Sequence, residues 1–232
     1  MATTSSHPPT TTEPAPAGTA RRLAAAAAVL GPLLFAAAFL ISPYDTNADA
    51  DEIARVIAAH QGATEVSVWL WTAGTVVLAP GLIAVGMLAT ARSARLGLWG
   101  SVLFGTGLLA ITATPSLDTV ALGAFDKGVP VATLAKVATG TNDLPAVGVP
   151  VLYFVAAHVV GAVLLGVALL RGRTVPAWAA WLLILSMPFN VAGYATGVDP
   201  VTVLSFVMLA VAFGYAALAF VRHGTGWVRS PS

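Results

Sequence analysis

The chain has 232 residues, of which 57% are hydrophobic and only 9% charged, with a mean hydropathy of +0.85; a soluble domain is about 25% charged. So little polar surface cannot coat a water-soluble globule, and the apolar residues are mainly Ala, Leu, Val and Gly, which let lipid-embedded helices approach closely. Net charge is +1, and there is no Cys, which excludes disulfides, thiolate metal sites and cysteine nucleophiles.

Residues 1–20 are rich in Thr, Pro, Ser and Ala with one charge, Glu13, and read as a disordered tail. Arg21 and Arg22 then open an apolar run that reaches Ile41. It is long enough to cross a bilayer and has no small-residue cleavage site before Tyr44, so it is expected to be a retained first span, 23–41, rather than a signal peptide. The following DTNADADEIARVIAAHQG places Ile53, Val56, Ile57 and His60 at helical spacing behind acids in the first turn, predicting a short amphipathic helix ended near Gly62. Asp45, Asn47, Asp49 and Asp51 alternate as at the start of a calcium loop, but Ala50 sits where Gly is needed and Val56 where the bidentate Glu belongs. Helix capping explains these acids better, and no metal site is expected.

Five further uncharged windows, at 66–90, 96–117, 147–170, 176–196 and 200–221, each suffice to span. Because lipid forces backbone groups to bond internally, six such windows predict an all-α polytopic bundle over 21–222, followed by a short basic tail, 223–232, suited to anionic headgroups. Pro80 and Pro188 fall inside the second and fifth spans, where each can kink its helix. Gly97, Ser101 and Gly105 form a small-residue stripe on the third, expected to serve packing within the bundle. The connection over 118–143 is long, which marks it as a lid or a locally structured segment, with a turn at Asp126–Lys127–Gly128.

With the N-terminus inside, the cytoplasmic segments hold eight arginines (Arg21, Arg22, Arg92, Arg95, Arg171, Arg173, Arg222, Arg229) against Arg55, Lys127 and Lys136 outside. That asymmetry predicts both termini in the cytoplasm of a multi-pass protein of the cell membrane. Tyr44, Trp69, Trp71, Tyr153 and Tyr194 near the outer ends, and Trp99, Trp178, Trp181 and Trp227 near the inner ends, fit two interfacial belts. Two inner hairpins, ARSARLGLW and RGRTVPAWAAW, share a plan, which leaves a parallel repeat open as an alternative to mere compositional likeness.

No Asp, Glu, Lys or Arg lies in the middle of any span, which speaks against a proton-driven pump. His158 is the one ionisable residue well inside a helix. At about 1.5 Å per residue it lies roughly 20 Å from Arg171, and Asn190 about 18 Å from Trp178, so the two share a depth in the outer half. Thr112 lies at comparable depth, with Tyr194 and Asp118 nearer the surface. These residues can line an outward-facing pocket for a ligand; a purely structural hydrogen bond between helices is the plainer alternative. Phosphate-loop, dinucleotide, metalloprotease, serine-hydrolase and Asp-rich prenyl-diphosphate motifs are absent, and no cofactor and no nucleic-acid partner are expected.

Three stretches, IARVIAAHQG, GLIAVGMLATARSARLG and AHVVGAVLLGVALLRGRTVPAWAAW, give the chain a layout over about residues 22–222 that resembles bacterial families of small integral membrane proteins of unknown function. The resemblance is one of layout and composition and implies no particular activity. Two functions follow as expectations. The first is a non-enzymatic accessory protein, or a binder or carrier of a lipophilic small molecule, using His158, Asn190, Tyr194 and Thr112, in contact with membrane lipids and with room for a homo-oligomer or a partner subunit. The alternative is a membrane-embedded enzyme acting on a lipid or isoprenoid with Asp118 and His158 as acid and base.

Overall fold

The structure is a computed structural model that describes residues 16–223; the rest of both expected tails lies outside the described residues. Six long helices carry the stretches long and apolar enough to cross a membrane: α1 (Pro16–Ile41), α3 (Gln61–Arg92), α4 (Ala94–Thr112), α7 (Pro145–Gly172), α8 (Ala177–Thr196) and α9 (Asp199–His223). Three short ones, α2 (Ala50–Ala59), α5 (Leu117–Asp126) and α6 (Val131–Asn142), lie in the connections, and no strand occurs among the described residues. The protein is therefore an all-α, six-span membrane bundle.

Two boundaries differ from the sequence reading. α1 starts at Pro16, within the stretch expected to be disordered, because Pro suits a first helical turn and the Ala-rich sequence behind it propagates helix readily. α2 ends at Ala59 with His60 as its cap, so Gly62 lies inside α3 instead of terminating α2. Asp49 caps α2 by accepting the Glu52 N–H at 2.7 Å, and Asp45 accepts the Asn47 N–H at 2.8 Å. The alternating acids are thus engaged in chain turning, and among the described residues no three His, Asp or Glu side chains group as metal ligands.

The long helices pack in a ring, α1–α3–α4–α7–α8–α9 and back to α1, with α3 also reaching α7 and α9. Phe104, Leu165, Leu183, Leu209 and Phe213 fill its centre. Close approach is set by glycine. A Cβ on Gly161 would lie 2.6 Å from the Phe104 backbone nitrogen, and one on Gly100 would lie 2.8 Å from that of Leu165, so α4 and α7 touch backbone to backbone. Gly31 against Leu78 and Gly81 against Ala28 do the same for α1 and α3. The Gly97–Ser101–Gly105 stripe packs on Thr90, Gly86 and Leu82 of α3, within the molecule.

One end of the ring is capped. The chain breaks after Thr112 at Pro115, then folds the long connection into α5 and α6, separated by a turn with Gly128 at φ +72°. Ala54, Ile57, Ala121, Leu134 and Ala135 give α2, α5 and α6 a small core of their own. The cap end carries the acids of the connections, whereas the opposite end gathers Arg21, Arg22, Arg92, Arg95, Arg171, Arg173 and Arg222.

Gly161→Ala should lower the stability of the detergent-solubilised protein by about 1–3 kcal/mol, the usual cost of overpacking. Gly148→Ala, on the same helix with nothing near its Cβ, should be neutral or stabilising. Equal thermal unfolding of the two variants would contradict the backbone contact between α4 and α7.

Candidate functional site

Beneath the cap two adjoining cavities run down the ring. The upper, a vestibule of about 200 Å³, is enclosed by the α1–α2 connection, the start of α5 and the first turns of α3; Ser42, Tyr44, Thr46, Ser67, Thr72, Ser116, Asp118 and Thr119 line it with oxygen. The lower, a chamber of about 40 Å³, is lined by Phe35, Trp71, Thr75, Leu108, Ile111, Phe154, His158, Met187, Asn190, Tyr194 and Phe206 among others. Trp71 and Tyr194 belong to both. At about 10–15 Å³ per water, the chamber holds on the order of three water-sized groups.

Its floor is an imidazole. His158 is held between Phe104 and Phe154, each ring centroid 4.4 Å away, and is 8% exposed. Gly107 leaves room for it on α4. Its Nδ1 is turned away from the chamber, sealed on the α4 side beside Gly107 and the Phe154 carbonyl four residues earlier on its own helix, which is the backbone partner within its reach. Buried hydroxyls elsewhere are likewise satisfied by nearby carbonyls, Thr64 by that of His60 and Ser186 by that of Leu183.

Asn190 is oriented by chemistry. Its Nδ2 donates to Ser205 Oγ at 2.9 Å, and that hydroxyl spends its single proton on the Thr202 carbonyl at 2.6 Å. Ser205 can therefore only accept, which places the amide nitrogen toward α9 and leaves the amide oxygen without a protein donor. The interhelical bond of Asn190 is made to Ser205, not to His158. Tyr194 closes the top of the chamber edge-on to Phe39, with centroids 5.2 Å apart, and its backbone carbonyl accepts from Asn47 Nδ2 at 2.9 Å, tying the α1–α2 connection to α8.

The structure thus brings His158, Asn190 and Tyr194 to one cavity. Thr112 is exposed, its hydroxyl donates to the Leu109 carbonyl, and Ile111 is the residue of α4 that lines the chamber. Depth along the helix places Thr112 correctly, but one residue is about 100° of rotation. Asp118 lies in the vestibule, not with His158, and accepts a 2.5 Å hydrogen bond from the Tyr44 hydroxyl. Burial pushes the Asp118 carboxyl above its ordinary range, partly offset by that bond; burial and the neighbouring carboxylate push the Tyr44 phenol up, so it stays a donor.

Trp71, Phe35, Phe39 and Phe206 were not expected at the site. Trp71 packs on Phe35 at 4.4 Å and Phe206 at 6.1 Å, inside the ring and away from the interface; Tyr194 is likewise an inner residue. One signal was present: Trp69 and Trp71 are two residues apart, about 200° around a helix, so only one of them can face lipid. Trp69 is the one on the outside of the bundle, at 67% exposure.

No family, no characterised protein and no solved structure shows significant similarity to the chain.

Tyr44→Phe should cost roughly 1–3 kcal/mol, the cost of leaving a buried hydrogen-bonding group without its partner, and raise the Asp118 carboxyl further. A carboxyl whose folded value exceeds its unfolded one contributes stability that is fully present below the unfolded value and lost as pH rises through the folded one. Thermal unfolding between roughly pH 4 and 8 should therefore fall less steeply with pH in Asp118→Asn than in the wild type, and the fall should extend to higher pH in Tyr44→Phe.

Proposed function

We propose that the protein sits in the cytoplasmic membrane with both termini in the cytoplasm and the α2–α5–α6 cap outside, and that it binds or carries a small lipophilic molecule without transforming it. The reading rests on one observation: a chamber walled by aromatic and aliphatic side chains places the imidazole of His158 and the amide of Asn190 in one lining and adjoins a vestibule under the cap. Apolar walls with a few convergent polar groups are the usual make-up of a small-molecule site. A non-catalytic role is supported by the separation of Asp118 from His158 and by the carboxylate's engagement with Tyr44, since an acid and a base acting on one centre must both reach it. The resemblance to bacterial membrane families of unknown function is compatible with such a role and adds no activity to it.

The stability of a His158→Phe variant separates ligand binding from mere helix bracing. Phe keeps a ring between Phe104 and Phe154, removes both nitrogens and can extend into the adjoining space. The expected result is a thermal stability equal to or above the wild type together with loss of small molecules that co-purify with the wild type, read by mass spectrometry of organic extracts. A destabilised variant, with nothing bound to either protein, would leave His158 as a structural residue.

Orientation is tested independently. The chain has no native cysteine, so single cysteines report cleanly. Lys127→Cys in the cap, where the native side chain is 79% exposed, should react with an impermeant maleimide on intact cells. Arg95→Cys, exposed at the opposite end, should react only after permeabilisation. The reverse pattern would invert the topology.

A further inference from the structure

The chamber by His158 is too small for a whole lipophilic molecule, and what adjoins it says where the remainder would lie. Above is the vestibule, where hydroxyls and the Asp118 carboxyl are set among Phe39, Val68 and Trp71, a poorer host for a hydrocarbon than a wholly apolar wall. To the side, between α3 and α4, an open groove of about 520 Å³ faces the bilayer, with Ile83, Met87, Val102 and Leu109 on its walls. Thr75 and Leu108 line both groove and chamber, so the two spaces share a wall at these side chains.

We propose, building on the ligand-binding reading above, that the ligand is an uncharged amphiphile with a hydroxyl or carbonyl head and one apolar chain, which reaches the chamber laterally from the bilayer between α3 and α4. The head sits by His158 and Asn190 and the chain lies along the groove. Three features carry this. The chamber holds a head of a few water-sized groups and no more. Its lining contains no Asp, Glu, Lys or Arg, so a charged head would be buried without a counter-charge, whereas a hydroxyl or carbonyl suits a lining whose polar side chains include the His158 imidazole and the Asn190 amide. The α3 wall is weakened beside the passage: Pro80 has no N–H for the Val76 carbonyl, one residue beyond Thr75.

The test uses the full chain in vesicles of phosphatidylcholine and phosphatidylglycerol and photoreactive diazirine probes, with adducts mapped by peptide mass spectrometry. Hexadecan-1-ol with the diazirine near the hydroxyl should label the segment bearing Phe154 and His158; with the diazirine in mid-chain it should label the Ile83–Met87 segment and Leu109. Hexadecane and palmitate probes should label the chamber about tenfold less, and His158→Phe should abolish the alcohol's advantage over the alkane. Gly105→Trp fills the groove from a position whose nearest neighbour to an added Cβ is Leu82 at 3.5 Å, and Ile83→Trp, at a 63% exposed site, blocks it independently. Either should remove chamber labelling by hexadecanol while sparing labelling by a butanol probe, which is small enough to arrive through the vestibule. Undiminished hexadecanol labelling in both blocked variants, or equal labelling by alkane or acid, overturns the lateral amphiphile and leaves the chamber itself standing. Failure of both alcohols to label the wild-type chamber overturns the chamber reading as well.

Discussion

Hydrocarbon supplies no hydrogen bonds, and this governs where every polar atom of the bundle can be. A backbone that must satisfy itself becomes helix, which is why an Ala- and Gly-rich chain with ordinary soluble-protein aromatic content forms six long rods. Ser and Thr side chains along those rods fold back on carbonyls three or four residues earlier, as Thr75 does on Trp71 and Thr106 on Val102. Thr106 also meets the Tyr153 hydroxyl at 2.7 Å, one of few side-chain bonds between helices. With hydroxyls spent locally, cohesion falls to close packing, and close packing to glycine: Gly100 with Gly161, Gly31 with Gly81. Against that background an imidazole and an amide lining one cavity within the ring, His158 and Asn190, are a departure.

The cap obeys a different economy. α2, α5 and α6 are each too short to cross and are only partly apolar, and they fold by burying one side against each other. Tyr44 ties the α1–α2 connection to Asp118 of α5 within this cover, while Asn47 ties the same connection to the Tyr194 carbonyl of α8 and α5 packs on α3. The vestibule lies at the seam between cover and ring.

Span number and the segregation of arginine to one end were legible because both depend on length and composition, which a linear sequence displays directly. The depth of His158 and Asn190 was legible for the same reason, since rise per residue is fixed. Azimuth was not. It depends on which neighbour each helix meets, so depth alone points to Thr112 where Ile111 faces the chamber, and places Trp71 in a belt although it packs on Phe35 and Phe206. Gly100 and Gly161 escaped notice because a contact between two helices is a pairing, and neither glycine stands out among 22. Ser205, the partner of Asn190, lies on an unremarkable stretch of α9, and nothing in its local sequence marks it.

The position of the charges bears on how the site handles its occupant. Every carboxylate in reach of the cavities stays in the vestibule or on the cap, and the chamber below is neutral. On the lateral route proposed above, a head group would leave the bilayer for a space whose polar offers are an imidazole and an amide, so a neutral polar group would pass and an ion would meet an uncompensated desolvation cost of several kcal/mol. Selection by charge would then need no gate residue: the chamber lining holds no charged side chain, and the Asp118 carboxyl above it is bound to Tyr44.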